Sequence, residues 1–290
     1  MSLRFNVHIV KVLVRLVCVQ AHSESGKMTK QKKIDTFYSG ISGLVLPIPK
    51  YKFPETFQHS SRLTYYSSLF QSIQINRSFY TLPNGKTLAR WANEVPEHFT
   101  FTFTFKLWKQ ITHAKALQFQ ESDIEKFISA INNVGKKKGC LLIQFPASIK
   151  SENIGQLEHL LRIVRSHDIN NTWKVAVEFR DGSWYNEDTY HLIENYSATI
   201  VIHDKSRAAS PFVKLKSATV YVRFHGPQGD YRGTYSEAFL HEYAGYICEW
   251  IKEKKSVFVY FNNTMGKAFD NLETLNAYVV NTHARHFNRE

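Results

Sequence analysis

The chain has 290 residues, of which 43% are hydrophobic and 14% aromatic, and this is enough apolar material to bury a sizeable core. Its 13 glycines, 8 prolines and 21% charged residues exclude collagen-like, low-complexity and disordered proteins. The formal net charge of +12 suggests an anionic partner, but half of that excess lies in residues 1–33, where seven basic residues accompany only Glu24. The remaining chain is mildly basic, which is compatible with a small anionic ligand or with nucleic acid.

Residues 1–33 are predicted to be a poorly structured extension, followed by a folded domain at 34–290. The apolar run 7–19 is interrupted by Lys11 and Arg15 and is shorter than the roughly 20 residues that a membrane span needs. A secretion signal is the alternative, although the residues after the run form a poor cleavage pattern. We therefore expect no membrane segment.

The three cysteines, Cys18, Cys140 and Cys248, are far apart and show no metal-ligand or redox spacing. Cys140 opens an apolar run, which is typical of a buried thiol rather than a nucleophile. No arrangement of His, Asp and Glu matches a common metal motif either. We expect a cytoplasmic protein with no bound metal and no cofactor.

Eight short runs rich in β-branched and aromatic residues follow one another along the chain. They are residues 36–43, 71–79, 99–106, 139–146, 173–180, 198–204, 218–226 and 256–263. Most gaps between them carry apolar residues at helical spacing, as at Ile124, Phe127, Ile128 and Ile131, where Ser122 and Glu125 suggest a capping box. Strands that alternate with helices form parallel sheets, and eight such units have the usual size of one TIM barrel.

The predicted fold is therefore α/β, a single (β/α)8 barrel. An open doubly wound sheet is the alternative. No glycine-rich dinucleotide fingerprint and no P-loop motif supports that alternative.

Polar side chains occur at alternate positions late in the predicted strands. Because alternate residues face opposite sides of a sheet, these side chains are expected to point into the barrel at its C-terminal end. They are Gly40 and Ser42, Gln74, Asn76 and Ser78, Thr102, Thr104 and Lys106, Gln144, Glu178 and Arg180, Asp204, Arg223 and His225, and Tyr260 and Asn262. A self-satisfied network of ion pairs is one explanation, and a ligand-binding mouth, which we favour, is the other.

Two of these residues are the candidates for catalysis. Glu178 is a carboxylate at a strand end and is a candidate general acid or base. Burial would raise its pKa, whereas Arg180 and Arg223 would hold it low. Its alternative role is a structural ion pair with an arginine. His225 is the candidate proton shuttle, or else a hydrogen-bonded wall residue.

Cations outnumber carboxylates at the predicted mouth, since Lys106, Arg180 and Arg223 face only Glu178 and Asp204, and this favours a phosphate or carboxylate ligand. The loop 262–267 enters a predicted helix, where backbone amides commonly bind phosphate or where an Asn simply caps the helix. The predicted ligand-binding residues are Asn76, Lys106, His113, Gln144, Arg180, Asp204, Arg223, Tyr231, Asn262 and Asn263.

Several spaced motifs, in order along the chain, resemble a known family. They are Ile111-Thr112-His113, Val177-Glu178-Phe179-Arg180 with Ser183-Trp184, Arg223-Phe224-His225-Gly226 with Tyr231-Arg232-Gly233, and Tyr260-Phe261-Asn262-Asn263. This pattern is similar to the YecE-like family, domain of unknown function 72, and the resemblance implies a TIM barrel. Three positions depart from it: Leu44 replaces a tryptophan, Gln74 a glutamate and Thr264 an acidic residue.

Two functions from different classes follow. The first is an enzyme, a hydrolase, lyase or isomerase, that uses acid–base chemistry on a small phosphorylated or carboxylated metabolite, sugar-like ones included. The second is a nucleic-acid-binding or nucleic-acid-processing barrel. The basic composition favours it, and so do the aromatic residues near predicted loops that are expected to be exposed, Trp108, Trp184, Tyr185 and Tyr231.

Overall fold

Eight β-strands form one sheet in the computed structural model of the chain, which describes residues 34–205, 209–212 and 216–287. The strands are β1 (Phe37–Ile41), β2 (Ser72–Ile75), β3 (Thr102–Lys106), β4 (Lys138–Gln144), β5 (Lys174–Glu178), β6 (Ala198–His203), β7 (Thr219–Phe224) and β8 (Ser256–Phe261). All paired strands are parallel, and β1 pairs with β8. The predicted extension, residues 1–33, lies outside the described residues.

The sheet closes on itself at a seam between β1 and β2, where Ser42 and Gln74 form a single parallel bridge. The strands approach closely there, because a Cβ atom on Gly40 would lie 2.0 Å from the carbonyl oxygen of Ser72. The buried Tyr66 hydroxyl links the two sides, accepting from the Ile41 N–H at 2.8 Å and donating to the Ser72 carbonyl at 3.2 Å. The predicted barrel is thus confirmed, and the open sheet is excluded.

Helices surround the barrel in the order that the alternation predicts. They are α1 (Arg62–Leu69), α2 (Gly85–Glu94), α3 (Lys109–Thr112), α4 (Glu121–Ile131), α5 (Ile154–Ser166), α6 (Glu187–Asn195), α7 (Glu237–Lys252) and α8 (Ala268–Phe287). Between β6 and β7, the described residues 204–205, 209–212 and 216–218 form no helix. Within the described ranges, each helix is too short or too polar to cross a membrane.

The start of α4 differs from the prediction. Its four stripe residues are all buried, as expected from their spacing, but Ser122 lies inside the first turn. Gln120, in an extended conformation, is the N-cap residue and its side chain makes no capping hydrogen bond. The predicted capping box is therefore wrong, and the first turn instead carries Glu121 and Asp123, whose negative charges favour a helix N-terminus.

The interior of the barrel is filled below the strand ends. A cluster separate from the main core comprises Cys140, Leu142, Ala176, Val201, Tyr221, Phe258 and Tyr260. The hydroxyl of Tyr260 lies 2.6 Å from both Ser72 Oγ and Thr104 Oγ1, which satisfies these buried polar atoms within the barrel. Cys140 is a fully buried free thiol, and burial raises its pKa, as expected for a structural residue. A ligand site inside the barrel must therefore lie above this layer.

Candidate functional site at the C-terminal mouth

The ends of β5 and β7 bring four of the predicted site residues together. Glu178 is the last residue of β5 and Arg180 follows it by two, while Arg223 lies in β7 and His225 just beyond it. Each pair is separated by one residue, so both members point to the inside of the barrel. Their outward neighbours Phe179 and Phe224 belong to the main core, which fixes the register.

Glu178 is fully buried between two arginines. Arg223 Nη1 lies 2.5 Å from Glu178 Oε2, and Arg180 Nη2 contacts Glu178 Oε1. Burial opposes ionisation of this carboxyl, but Arg223 and Arg180 outweigh that effect and hold its pKa well below the usual range. Glu178 is therefore a carboxylate at neutral pH, paired on both oxygens, and the group of three carries one excess positive charge.

The two guanidinium groups retain donors for which the described residues supply no acceptor. Arg180 Nη1 and Arg223 Nε are buried and donate to no acceptor among the residues that the structure describes. A buried donor without an acceptor costs about 1–3 kcal/mol, and more where the group is charged. These donors are therefore suited to an acceptor that comes from outside the protein.

His225 is held between Asp204 and Arg180. Asp204 Oδ1 accepts the backbone N–H of His225 at 2.7 Å and lies 3.3 Å from its Nδ1, while Arg180 Nη2 is 3.1 Å from its Nε2. Because arginine only donates, Nε2 must accept and Nδ1 must carry the proton. Burial lowers the pKa of His225 to about 4, and the positive charge of Arg223 acts in the same direction. The hydrogen bond with Asp204 raises this pKa but does not outweigh burial.

Asp204 is itself fixed by a tyrosine that the sequence analysis did not select. The Tyr235 hydroxyl donates to Asp204 Oδ2 and accepts the backbone N–H of Gly226 at 2.6 Å. This arrangement fixes the carboxylate beside the imidazole of His225. A buried Tyr shortly after a glycine turn gives no sequence signal of that role.

His203 is a second site residue that the sequence analysis missed. It is the last residue of β6 and is buried, with Nε2 3.0 Å from the Phe179 carbonyl and 3.3 Å from the Tyr185 hydroxyl. Burial lowers its pKa. Two-residue alternation in β6 points Val201 and His203 inward, whereas Asp204 lies one residue beyond the strand. Counting alternation from Val201 would have found His203.

Lys106 occupies another part of the mouth at the end of β3. Its Nζ donates to Gln144 Oε1 at 2.8 Å and lies 3.8 Å from the centre of the Phe79 ring. Burial and the positive charges of Arg223 and Arg180 lower the pKa of Lys106 to about 7. The negative charge of Glu178 raises this pKa but does not outweigh them. The ring face of Phe79 favours the ammonium form by about 0.5–2 kcal/mol, which is less than these opposing effects.

The amides on the far side of the mouth form a chain across the barrel seam. Gln74 Nε2 donates to Asn76 Oδ1 at 2.5 Å, and Asn76 Nδ2 donates to Asn262 Oδ1 at 3.4 Å. The Tyr221 hydroxyl donates to Gln74 Oε1 at 2.8 Å. Gln74 thus joins the buried interior to the rim, and being neutral it leaves the positive charge of the mouth unbalanced.

Two predicted ligand-binding residues make their contacts away from Glu178 and the arginines, and a third lies over His225. His113 is exposed and packs against the Phe79 ring, with Nδ1 2.9 Å from Thr112 Oγ1. Asn263 is buried and donates to the Gly233 carbonyl and to Asn271 Oδ1, both at 3.1 Å, so its amide ties the loop before α7 to α8. Tyr231 is half-buried over His225, with ring centres 5.8 Å apart, and Lys205 Nζ lies above its ring.

Other chemistry at the mouth is limited by its composition. In the described ranges there is no group of three His, Cys, Asp or Glu side chains that is arranged to hold a metal ion. Of the aromatic residues expected near loops, Trp184 is fully buried and donates to the Ile149 carbonyl at 2.8 Å, while Trp108 and Tyr185 are half-buried. The expectation that Trp184 is accessible is wrong, because it stacks on Phe179 inside the core.

Comparison with known proteins identifies the family. A family model described as a protein of unknown function, DUF72, matches residues 42–289. The chain belongs to the DUF72 family. UPF0759 protein YunF of Bacillus subtilis is 25% identical over 246 residues, which are 74% of this chain and 84% of YunF. The predicted family membership is confirmed.

Solved structures of DUF72 proteins share the fold. A protein from Enterococcus faecalis superposes with a TM-score of 0.69 at 20% identity and covers 84% of this chain and 95% of its own. A protein from Thermotoga maritima gives a TM-score of 0.64 at 25% identity, covering 87% and 99%. These similarities support the barrel fold, and they do not assign a chemistry to the mouth.

Proposed function

We propose that this DUF72 protein is an enzyme that binds a small anionic metabolite, phosphorylated or carboxylated, at the C-terminal mouth of the barrel and acts on it by acid–base chemistry. The observation that carries the proposal is the pair of buried guanidinium groups with unused donors, Arg180 Nη1 and Arg223 Nε. With the carboxylate of Glu178 between them, the two arginines form a group that carries one excess positive charge. An anion seated there would accept from both arginines and neutralise the excess charge.

His225 is the proposed acid–base residue. Its neutral Nε2 has a lone pair, and Asp204 orients the ring. In the structure this lone pair accepts a hydrogen bond from Arg180 Nη2 at 3.1 Å. When Arg180 turns a donor toward the anion, Nε2 becomes free to accept a proton from the substrate. The negative charge of the ligand also favours the imidazolium form and brings the pKa of His225 closer to neutrality.

In this proposal Glu178 has a positioning role rather than the acid–base role that its sequence context suggests. A carboxylate that is paired on both oxygens and has a strongly lowered pKa is a weak base. Its charge instead fixes the two guanidinium groups within reach of one ligand.

A phosphate titration tests the anion site. Arg180→Gln keeps the Arg223–Glu178 pair but removes one guanidinium group, so we expect the dissociation constant for phosphate to rise about tenfold or more, which is about 1.4 kcal/mol. Arg62→Gln, on the exposed surface of α1, is the matched control and should leave binding unchanged. Calorimetry and thermal shift provide the readouts. Equal phosphate binding in wild type and Arg180→Gln would refute the proposal.

Nucleic acid is the second candidate, favoured by the net charge of +12. Half of that charge lies in residues 1–33, and the burial of Trp184 removes one of the aromatic platforms that single strands would need. We expect no binding of single-stranded DNA or RNA at physiological salt. A polynucleotide affinity that persists at that salt and falls steeply as salt increases would favour this alternative over the metabolite.

A further inference from the structure

We propose that Lys106 is a nucleophilic amine that forms an imine with the carbonyl group of an anionic substrate, a keto or aldehyde acid or a carbonyl-bearing phosphate ester. This inference rests on the proposed anion site and deepens it by assigning a substrate class. Lys106 ends β3, so its side chain projects into the same mouth as those of Glu178 and Arg223.

The surroundings of Lys106 Nζ favour a reactive amine over an ammonium group in an ion pair. Among the described residues no carboxylate pairs with Lys106, and its hydrogen bond goes to the neutral Gln144 Oε1 at 2.8 Å. The Phe79 ring covers one side of the amine at 3.8 Å. The charged groups that act on the pKa of Nζ are Glu178 at the end of β5, Arg180 two residues beyond it and Arg223 in β7. Two of these three oppose a further positive charge.

An unprotonated amine is the form that attacks a carbonyl carbon. With its pKa lowered to about 7, a large fraction of Lys106 carries a free electron pair at neutral pH, unlike an ordinary surface lysine. The arginines that hold the anionic end of the substrate also raise the local concentration of the carbonyl group beside Nζ. The same charges therefore serve both ligand binding and activation of the nucleophile.

The step balances without an added reagent. The electron pair of Nζ forms a C–N bond to the carbonyl carbon, and the C=O pair moves to the oxygen, giving a carbinolamine. The carbinolamine then loses this oxygen as water, which carries away the two hydrogens that were on Nζ, and the C=N bond forms. Hydrolysis reverses the sequence and returns the free amine.

Reductive trapping on the full chain tests the inference. The protein is treated at pH 7 with glyoxylate or with glycolaldehyde phosphate in the presence of cyanoborohydride, which reduces an imine to a stable secondary amine. Peptide mass spectrometry then compares modification of Lys106 with that of Lys109, an exposed lysine three residues away. We expect at least tenfold faster modification of Lys106, and a smaller preference with acetaldehyde, which carries no anionic group.

Variants and phosphate binding separate the two proposals. Lys106→Arg keeps the charge but has no nucleophilic amine, and its rapid phase of modification should vanish, whereas Lys109→Arg should retain it. If Lys106 reacts no faster than Lys109 in a wild-type protein that binds phosphate, the imine is refuted and the anion site stands. Rapid modification of Lys106 by all three aldehydes, with no phosphate binding, supports the nucleophile and counts against the anion site.

Discussion

Glu178 and the two arginines around it carry opposite charges that do not cancel. Removing charges from water is costly, and a buried pair stabilises a protein only when its geometry and remaining hydrogen bonds are good. Here Oε2 of Glu178 has Arg223 Nη1 at 2.5 Å, yet one donor on each arginine is unused within the described chain. The group is therefore better suited to a ligand than to stability alone.

Glu178→Gln separates these two roles. The substitution leaves two buried guanidinium groups without a carboxylate, so we expect a loss of about 3–5 kcal/mol in the free energy of unfolding, measured by urea denaturation. Phosphate should restore part of this loss, and its stabilising effect should exceed that in wild type, because the anion then replaces the missing charge. Phosphate stabilisation that disappears in Glu178→Gln would instead identify Glu178 as part of the ligand-binding contact.

Residue by residue, alternation predicted much of this cluster from the sequence. Glu178, Arg180, Arg223 and His225 meet at the mouth because their outward neighbours are large aromatic residues that have to face the helices. His203 was missed because the last inward position of β6 was assigned one residue too late. A shift of one residue exchanges the two faces of a strand, so the prediction for a strand depends on which residue is taken as its last inward position.

At the scale of elements, the seam between β1 and β2 is where closure of the barrel depends on side chains. The two strands share one bridge, so the Tyr66 hydroxyl takes the place of strand-to-strand hydrogen bonds there. The residue is fully buried, and water is not available to replace it.

Tyr66→Phe therefore leaves the Ile41 N–H without its acceptor while conserving the ring. We expect a loss of about 1–3 kcal/mol in the free energy of unfolding, the usual cost of a buried unsatisfied backbone group. Tyr65→Phe, which removes a half-buried hydroxyl from the same helix, should change stability by less than about 0.5 kcal/mol. Equal effects of the two substitutions would show that the seam does not depend on this hydroxyl.

The sequence predicted all eight strands and most helices because the strands are apolar runs and most of the gaps between them show clear helical periodicity. The capping box at α4 was wrong, since several polar residues near Glu121 are equally compatible with a helix start, and only the backbone conformation of Gln120 decides among them. The seam was not predictable either. Tyr66 looks like any other aromatic residue of a helix until the partner strands are known.

Across the whole molecule, burial at the mouth couples stability to pH. The folded chain holds His225 neutral, with a pKa of about 4 instead of 6.5, because burial opposes its positive charge. As the pH falls, the unfolded chain therefore takes up a proton near 6.5 before the folded chain does. The stability that His225 contributes is complete above pH 6.5 and is lost progressively down to about pH 4.

His225→Asn should remove this component while keeping a donor for Asp204. Between pH 7.5 and pH 5, we expect the wild type to lose about 2 kcal/mol more of its free energy of unfolding than the variant, since each unit of pH below 6.5 corresponds to about 1.4 kcal/mol. His59→Asn, at an exposed position, is the control and should follow the wild-type profile. Urea denaturation at both pH values, with phosphate omitted, gives the comparison. Parallel profiles for wild type and His225→Asn would mean that His225 has the same pKa in the folded and the unfolded chain, and the lowered pKa would then be ruled out.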